Sequence, residues 1–186
     1  MKHKAPKHPS ISLPEAVSRI HKVYDVERQN PAPREVMAKA LGYAGITGTS
    51  ASVIGSLRQY GLLVGRGEEL KVSDTAVTII LAPPESDEYK QALNRAAYHP
   101  SLFRELQGQF GSDAPSAVNL RYSLARKGFA GGAADAITSS YLATIKFLKE
   151  QGVGLEVLPS IADEAEVSGR NIAASFDRRE QLPSST

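Results

Sequence analysis

The stretch from Ala32 to Ser73 constrains the fold most, because two short helical patterns and two strand patterns follow one another with only turns between them. Pro33 at a helix start, the apolar set Val36, Met37, Ala40 and Leu41, and Gly42 at the end predict a short helix. A second helix is expected over about Thr49 to Tyr60, with Val53, Ile54, Leu57 and Tyr60 as its inward stripe and Gly61 placed to cap it. The run Val64-Gly65-Arg66-Gly67-Glu68-Glu69 then leads into Leu70-Lys71-Val72, which predicts two short strands around a Gly-containing turn. The expected class is mainly α with a small β-hairpin, an α+β chain.

A chain of 186 residues with 41% hydrophobic content can bury a substantial core, as one extended domain or two small ones. No apolar run approaches the roughly 20 residues that span a bilayer, so no membrane partner is expected. The start Met1-Lys2-His3-Lys4 lacks the apolar stretch of a secretion signal, and a cytoplasmic location is the expectation. The absence of cysteine excludes a disulfide framework, a Cys-type zinc site and a thiol nucleophile. Net charge is +2 but unevenly spread: residues 1–83 hold 11 Lys/Arg against 7 Asp/Glu, 84–152 hold 8 against 7, and 153–186 hold 3 against 6. The basic excess thus lies in the first 83 residues, which include the two short helices and the hairpin.

Residues 1–11, with Lys2, Lys4 and Lys7, read as a flexible basic arm. Ser12 and Glu15 fit a capping box opening a helix to about Gln29, whose apolar face is Leu13, Ala16, Val17, Ile20, Val23 and Tyr24. After the hairpin, helices are expected over Ser73 to Leu81, Ser86 to Tyr98, Ser101 to Phe110, Pro115 to Lys127 and Gly132 to Gln151, separated by Pro83-Pro84, His99-Pro100, a Gly-Ser-Asp loop and Gly128. Along the last of these, Ala134, Ile137, Tyr141, Ile145 and Leu148 form one stripe, either a core face or a surface for a homodimer. Val153 to Leu158 fits one strand, and the acidic remainder to Thr186 fits mostly disorder. The expected divisions are an arm over 1–11, a first domain over 12–83, a helical module over 84–151 and a tail over 152–186.

Little points to catalysis. His3, His8, His21 and His99 show no metal-binding spacing. Gly128-Phe129-Ala130-Gly131-Gly132 precedes a helix but lacks the Gly-Lys-Ser/Thr ending and the preceding strand of a phosphate loop. No Gly-x-Ser-x-Gly elbow occurs, and no acid/base pair stands out. Neither an enzyme, a cofactor nor a metal is expected.

The segment Ser52-Val53-Ile54-Gly55-Ser56-Leu57-Arg58-Gln59-Tyr60-Gly61-Leu62-Leu63 resembles the recognition helix of winged helix-turn-helix proteins, and Val72-Ser73-Asp74-Thr75-Ala76 resembles the chain leaving the wing. His99-Pro100-Ser101-Leu102-Phe103-Arg104-Glu105-Leu106 and Leu124-Ala125-Arg126-Lys127-Gly128-Phe129 are similar to a little-characterised prokaryotic group that joins a winged helix to a small helical module. The resemblance covers about residues 12–151. It implies double-stranded DNA as partner and a role in transcription regulation, with helix 49–60 in the major groove and the 63–72 wing on the backbone or minor groove.

If Val53, Leu57 and Tyr60 face inward, Ala51, Ser52, Gly55 and Gln59 turn outward, with Ser56 and Arg58 at the flanks. Gln59 suits adenine, Arg58 guanine or a phosphate, and Ser52 and Ser56 either kind of base edge. Thr49 and Ser50 at the helix start suit a phosphate oxygen, or a plain N-cap. On the wing, Arg66 and Lys71 are the cations for the backbone. The alternative is an interaction scaffold within a larger nucleic-acid or defence assembly, docking a protein partner through the helical module or the tail; one Arg and no Lys on the recognition helix favour it.

Overall fold

Ser12-Leu13-Pro14 opens the first element, where Pro14 sits in the first helical turn and costs no hydrogen bond. In the computed structural model, which describes residues 7–155, this is α1 (Leu13–Glu27). There follow β1 (Ala32–Pro33), α2 (Arg34–Ala40), α3 (Gly48–Gln59), β2 (Leu63–Val64), β3 (Glu69–Val72), α4 (Asp74–Leu81), α5 (Asp87–Ala97), α6 (Ser101–Phe110), α7 (Ala117–Arg126) and α8 (Gly132–Glu150). The chain is mainly helical with a small antiparallel sheet of order β1-β3-β2. No helix of the described residues is long and apolar enough to cross a membrane.

Several expectations are corrected. Ala32 and Pro33 are extended, pairing with Leu70 and Glu69, so Pro33 caps α2 rather than opening it. At this sheet edge a missing N–H does no harm, and Arg34 N–H takes over by donating to the Glu68 carbonyl at 3.1 Å. Ser12 makes no side-chain cap bond, and the Glu15 side chain turns to Arg19 at 3.3 Å. α1 stops at Glu27, where Arg28 takes a positive φ of 54°.

Residues 153–155 form no strand. Val153 and Leu155 are buried, and the carbonyls of Gly154 and Leu155 accept from Asn94 Nδ2 at 2.7 Å and Gln107 Nε2 at 2.8 Å. The rest of that expected strand, the tail from 156 and arm residues 1–6 lie outside the described residues. Residues 8–12, expected as arm and helix cap, pack instead against the body: Pro9 is buried, and the His8 ring meets Phe129 edge-on with centroids 5.6 Å apart.

One apolar core runs from Leu13 to Leu155. The stripe on α8 lies entirely within it, so a core face and not a free dimer surface accounts for Ala134, Ile137, Tyr141, Ile145 and Leu148. α8 packs back on α1, and α4 on α5, so the core crosses the position expected as a domain boundary. Tyr60, Phe103 and Tyr141 link α3, α6 and α8 through edge-on ring contacts of 6.1 and 5.1 Å.

Candidate nucleic-acid interface

α3 begins one residue before its expected start because Thr47, not Thr49 or Ser50, is its cap. Thr47 Oγ1 accepts from Ser50 N–H at 3.2 Å, and Ser50 Oγ returns the bond by accepting from Thr47 N–H at 2.7 Å. This reciprocal pair satisfies two amides that a helix start otherwise leaves open. Val53, Ile54 and Leu57 anchor the helix to the core as its spacing requires.

The hairpin that follows pairs Leu63 with Val72 and Val64 with Lys71. Its tight return depends on Gly65, at φ +144°, where a Cβ would run into the Glu69 carbonyl oxygen. Along β3 the alternation sends Leu70 and Val72 inward and Glu69 and Lys71 outward.

The eight candidate contacts divide into three sets. Ser50 and Ser56 are buried and spent inside the molecule. Ser50 Oγ reaches the Gly45 carbonyl at 3.0 Å; Ser56 Oγ donates to the Ser52 carbonyl at 3.0 Å and accepts from Ser10 N–H at 2.8 Å. Neither hydroxyl faces solvent, and both leave the set of candidate readers.

Gln59 is half-buried, its Oε1 enclosed and without a hydrogen-bond partner. It lines a cavity shared with Lys7, His8, Phe129 and Ala133, so its amide does not project freely from α3. Its backbone carbonyl is held by His99 Nδ1 at 2.7 Å. That contact requires a proton on Nδ1, since the carbonyl can only accept.

Thr49, Ser52, Arg58, Arg66 and Lys71 are exposed. Ser52 Oγ donates to Ser10 Oγ at 2.8 Å, and Arg58 Nη2 lies 3.4 Å from the Gly65 carbonyl, which tethers it toward the hairpin. Gly55, between Ser52 and Arg58, presents bare backbone with open space where a side chain would be. The hairpin's Arg66 and Lys71 are offset by exposed Glu68 and Glu69, so its field is balanced in sign. Among the described residues no three His, Asp or Glu side chains gather as a metal site needs.

Comparison with protein-family models, curated proteins and solved structures finds no match for this chain.

Sequence reasoning missed the segment leading into α1. The Ile11 carbonyl accepts from Tyr60 Oη and from Ser140 Oγ, both at 2.9 Å, while Leu13 N–H donates to Thr144 Oγ1 at 3.0 Å. Ser10 and Ile11 thereby strap the Ser52–Ser56–Tyr60 edge of α3 to α8. Burial pushes the Tyr60 hydroxyl up to about 12, against a smaller opposing pull from Thr144 and Ser140. The one sequence signal was a serine and an isoleucine beside a helix start, too short to show periodicity.

Proposed function

We propose that this protein binds double-stranded DNA as a winged helix-turn-helix and regulates transcription, with α3 presented to the major groove and the β2–β3 hairpin as its wing. The observation that carries the reading is the order α1-β1-α2-α3-β2-β3 with β3 between β1 and β2. That arrangement sets an exposed helix edge beside a projecting hairpin. Supporting it, Thr49, Ser52 and Arg58 remain exposed on α3 and Arg66 and Lys71 on the hairpin. The bare backbone at Gly55 favours a close approach to base edges.

The roles divide by chemistry. Arg58 reads a base edge or fixes register, and Arg66 and Lys71 neutralise phosphates. The test is fluorescence-anisotropy titration of the full chain with a random duplex and with the DNA upstream of its own gene, at about 50 and about 200 mM salt. The expected result is tighter binding to the upstream DNA that persists at the higher salt. Arg58→Ala should narrow the difference between the duplexes, and Arg66→Ala should weaken both alike and flatten the salt slope. No binding at the lower salt overturns the reading.

A second reading, a protein-interaction scaffold, rests on the strap of residues 8–12 along α3 and on the charge balance of the hairpin. A stoichiometric protein partner retained on purification, with no duplex affinity, is the outcome that favours it.

A further inference from the structure

Beside the base of the hairpin lies a cleft of about 370 Å³, formed by the end of α3, the start of α4 and the end of α5. Its volume is at the small end of the range for ligand pockets. Arg58 enters from α3, Arg95 from α5, and His99 forms a wall, its ring against Gly61. Five ion pairs form among the described residues, and neither Arg58 nor Arg95 takes part in any.

Arg58 and Arg95, on different elements, thus line one small cleft, and neither is ion-paired although Asp74 lines it too; Arg58 Nη2 donates to the Gly65 carbonyl at 3.4 Å. The acid that lines it, Asp74, is occupied on one oxygen by Gln29 Nε2 at 2.9 Å. The first turn of α4 opens there as well. Ser73 Oγ takes the Ala76 amide at 3.1 Å, while the amides of Asp74 and Thr75 have no acceptor within the helix. Guanidinium forks and helix-start amides both suit an oxyanion, and a phosphoryl group offers three terminal oxygens to two forks and the amides where a carboxylate offers two.

We propose that this cleft is an oxyanion site that takes a phosphoryl group, clamped between Arg58 and Arg95. The assignment goes beyond DNA binding, since a free phosphorylated small molecule and a backbone phosphate present the same chemistry. Because the cleft joins α3 and Val64 of the hairpin to α5, an occupant ties the hairpin base to the C-terminal helices.

The experiment titrates inorganic pyrophosphate into the full chain by calorimetry, at ionic strength matched with chloride. The same titration is run on Arg95→Ala, on Arg58→Ala/Arg95→Ala and on Arg126→Ala, the last removing an exposed cation elsewhere. Circular dichroism confirms that each variant is folded. Loss of one charged contact to phosphate should weaken binding by about tenfold or more, so the expected pattern is wild-type affinity in Arg126→Ala and loss in the other two.

Duplex binding of the same variants separates the sources. If pyrophosphate does not bind but Arg95→Ala weakens duplex binding more than Arg126→Ala does, the cleft holds a backbone phosphate and the assignment stands. If Arg95→Ala matches Arg126→Ala in both titrations, the assignment fails. Pyrophosphate binding without any duplex affinity would overturn the DNA reading and leave this one intact.

Discussion

Tyr60 shows how much one side chain decides. It closes the inward stripe of α3, stacks edge-on against Phe103, and sends its hydroxyl to the carbonyl of Ile11. Burial pushes both Tyr60 and Tyr141 up to about 12, and raises Tyr98 as well, from the usual value near 10. Between those values the unfolded chain releases protons that the folded chain keeps. Their contribution to stability is therefore complete below about pH 10 and is lost as the pH climbs toward 12. Urea denaturation across that range should show falling stability, and phenolate absorbance should show the buried rings ionising above the usual tyrosine value. Stability that stays flat to pH 12 would contradict this. Replacing Tyr60 by Phe removes a buried hydrogen bond and should cost about 1 kcal/mol. Ser140 still serves the Ile11 carbonyl, so a loss several times larger would show that the strap over α3 depends on this hydroxyl alone.

At the scale of elements, two glycines in the same region predict opposite outcomes. Gly55 lies inside α3, with open space where a Cβ would go, so Gly55→Ala should stabilise the protein by roughly 0.5–1 kcal/mol. In the DNA reading it should also weaken duplex binding, by holding the groove away from the backbone. Gly65→Ala meets the Glu69 carbonyl at a positive φ and should destabilise by more than about 1 kcal/mol. Equilibrium denaturation of the two variants checks both signs.

The helices were legible because punctuation and periodicity agreed. Ser73 and Ser86 cap α4 and α5 as their positions suggest, and His99-Pro100 separates α5 from α6. β1 was hidden because two residues carry no period; their extended form comes from pairing with Leu70 and Glu69, far along the chain. The inward stripe of α3 was readable for the same reason as the helices. The fates of Ser50 and Ser56 were not, because beyond their local bonds to Thr47 and Ser52 each is tied to chain outside the helix, at Gly45 and Ser10, which no spacing rule reaches.

For the whole molecule, the buried apolar residues form one cluster from Leu13 to Leu155. Leu13 N–H meets Thr144 Oγ1 across 131 residues, and Ser140 holds the Ile11 carbonyl beside it. α8 packs on α1 and α4 on α5, so contacts join residues 12–83 to residues 84–151. Calorimetric unfolding should therefore give a single transition whose calorimetric and van't Hoff enthalpies agree. Two resolved transitions would show that residues 12–83 and 84–151 are thermodynamically separate.

The meeting of Leu13 with Thr144 also sets an order of events at the ribosome. Synthesis runs from the N-terminus, and α1 emerges soon before α2, α3 and α4 but long before α8, on all of which it packs. Nascent chains stalled near residue 120 should therefore be cut readily by protease around α1. Chains long enough to release Leu155 should resist; equal resistance at both lengths would mean that the first half closes on itself before its partner arrives.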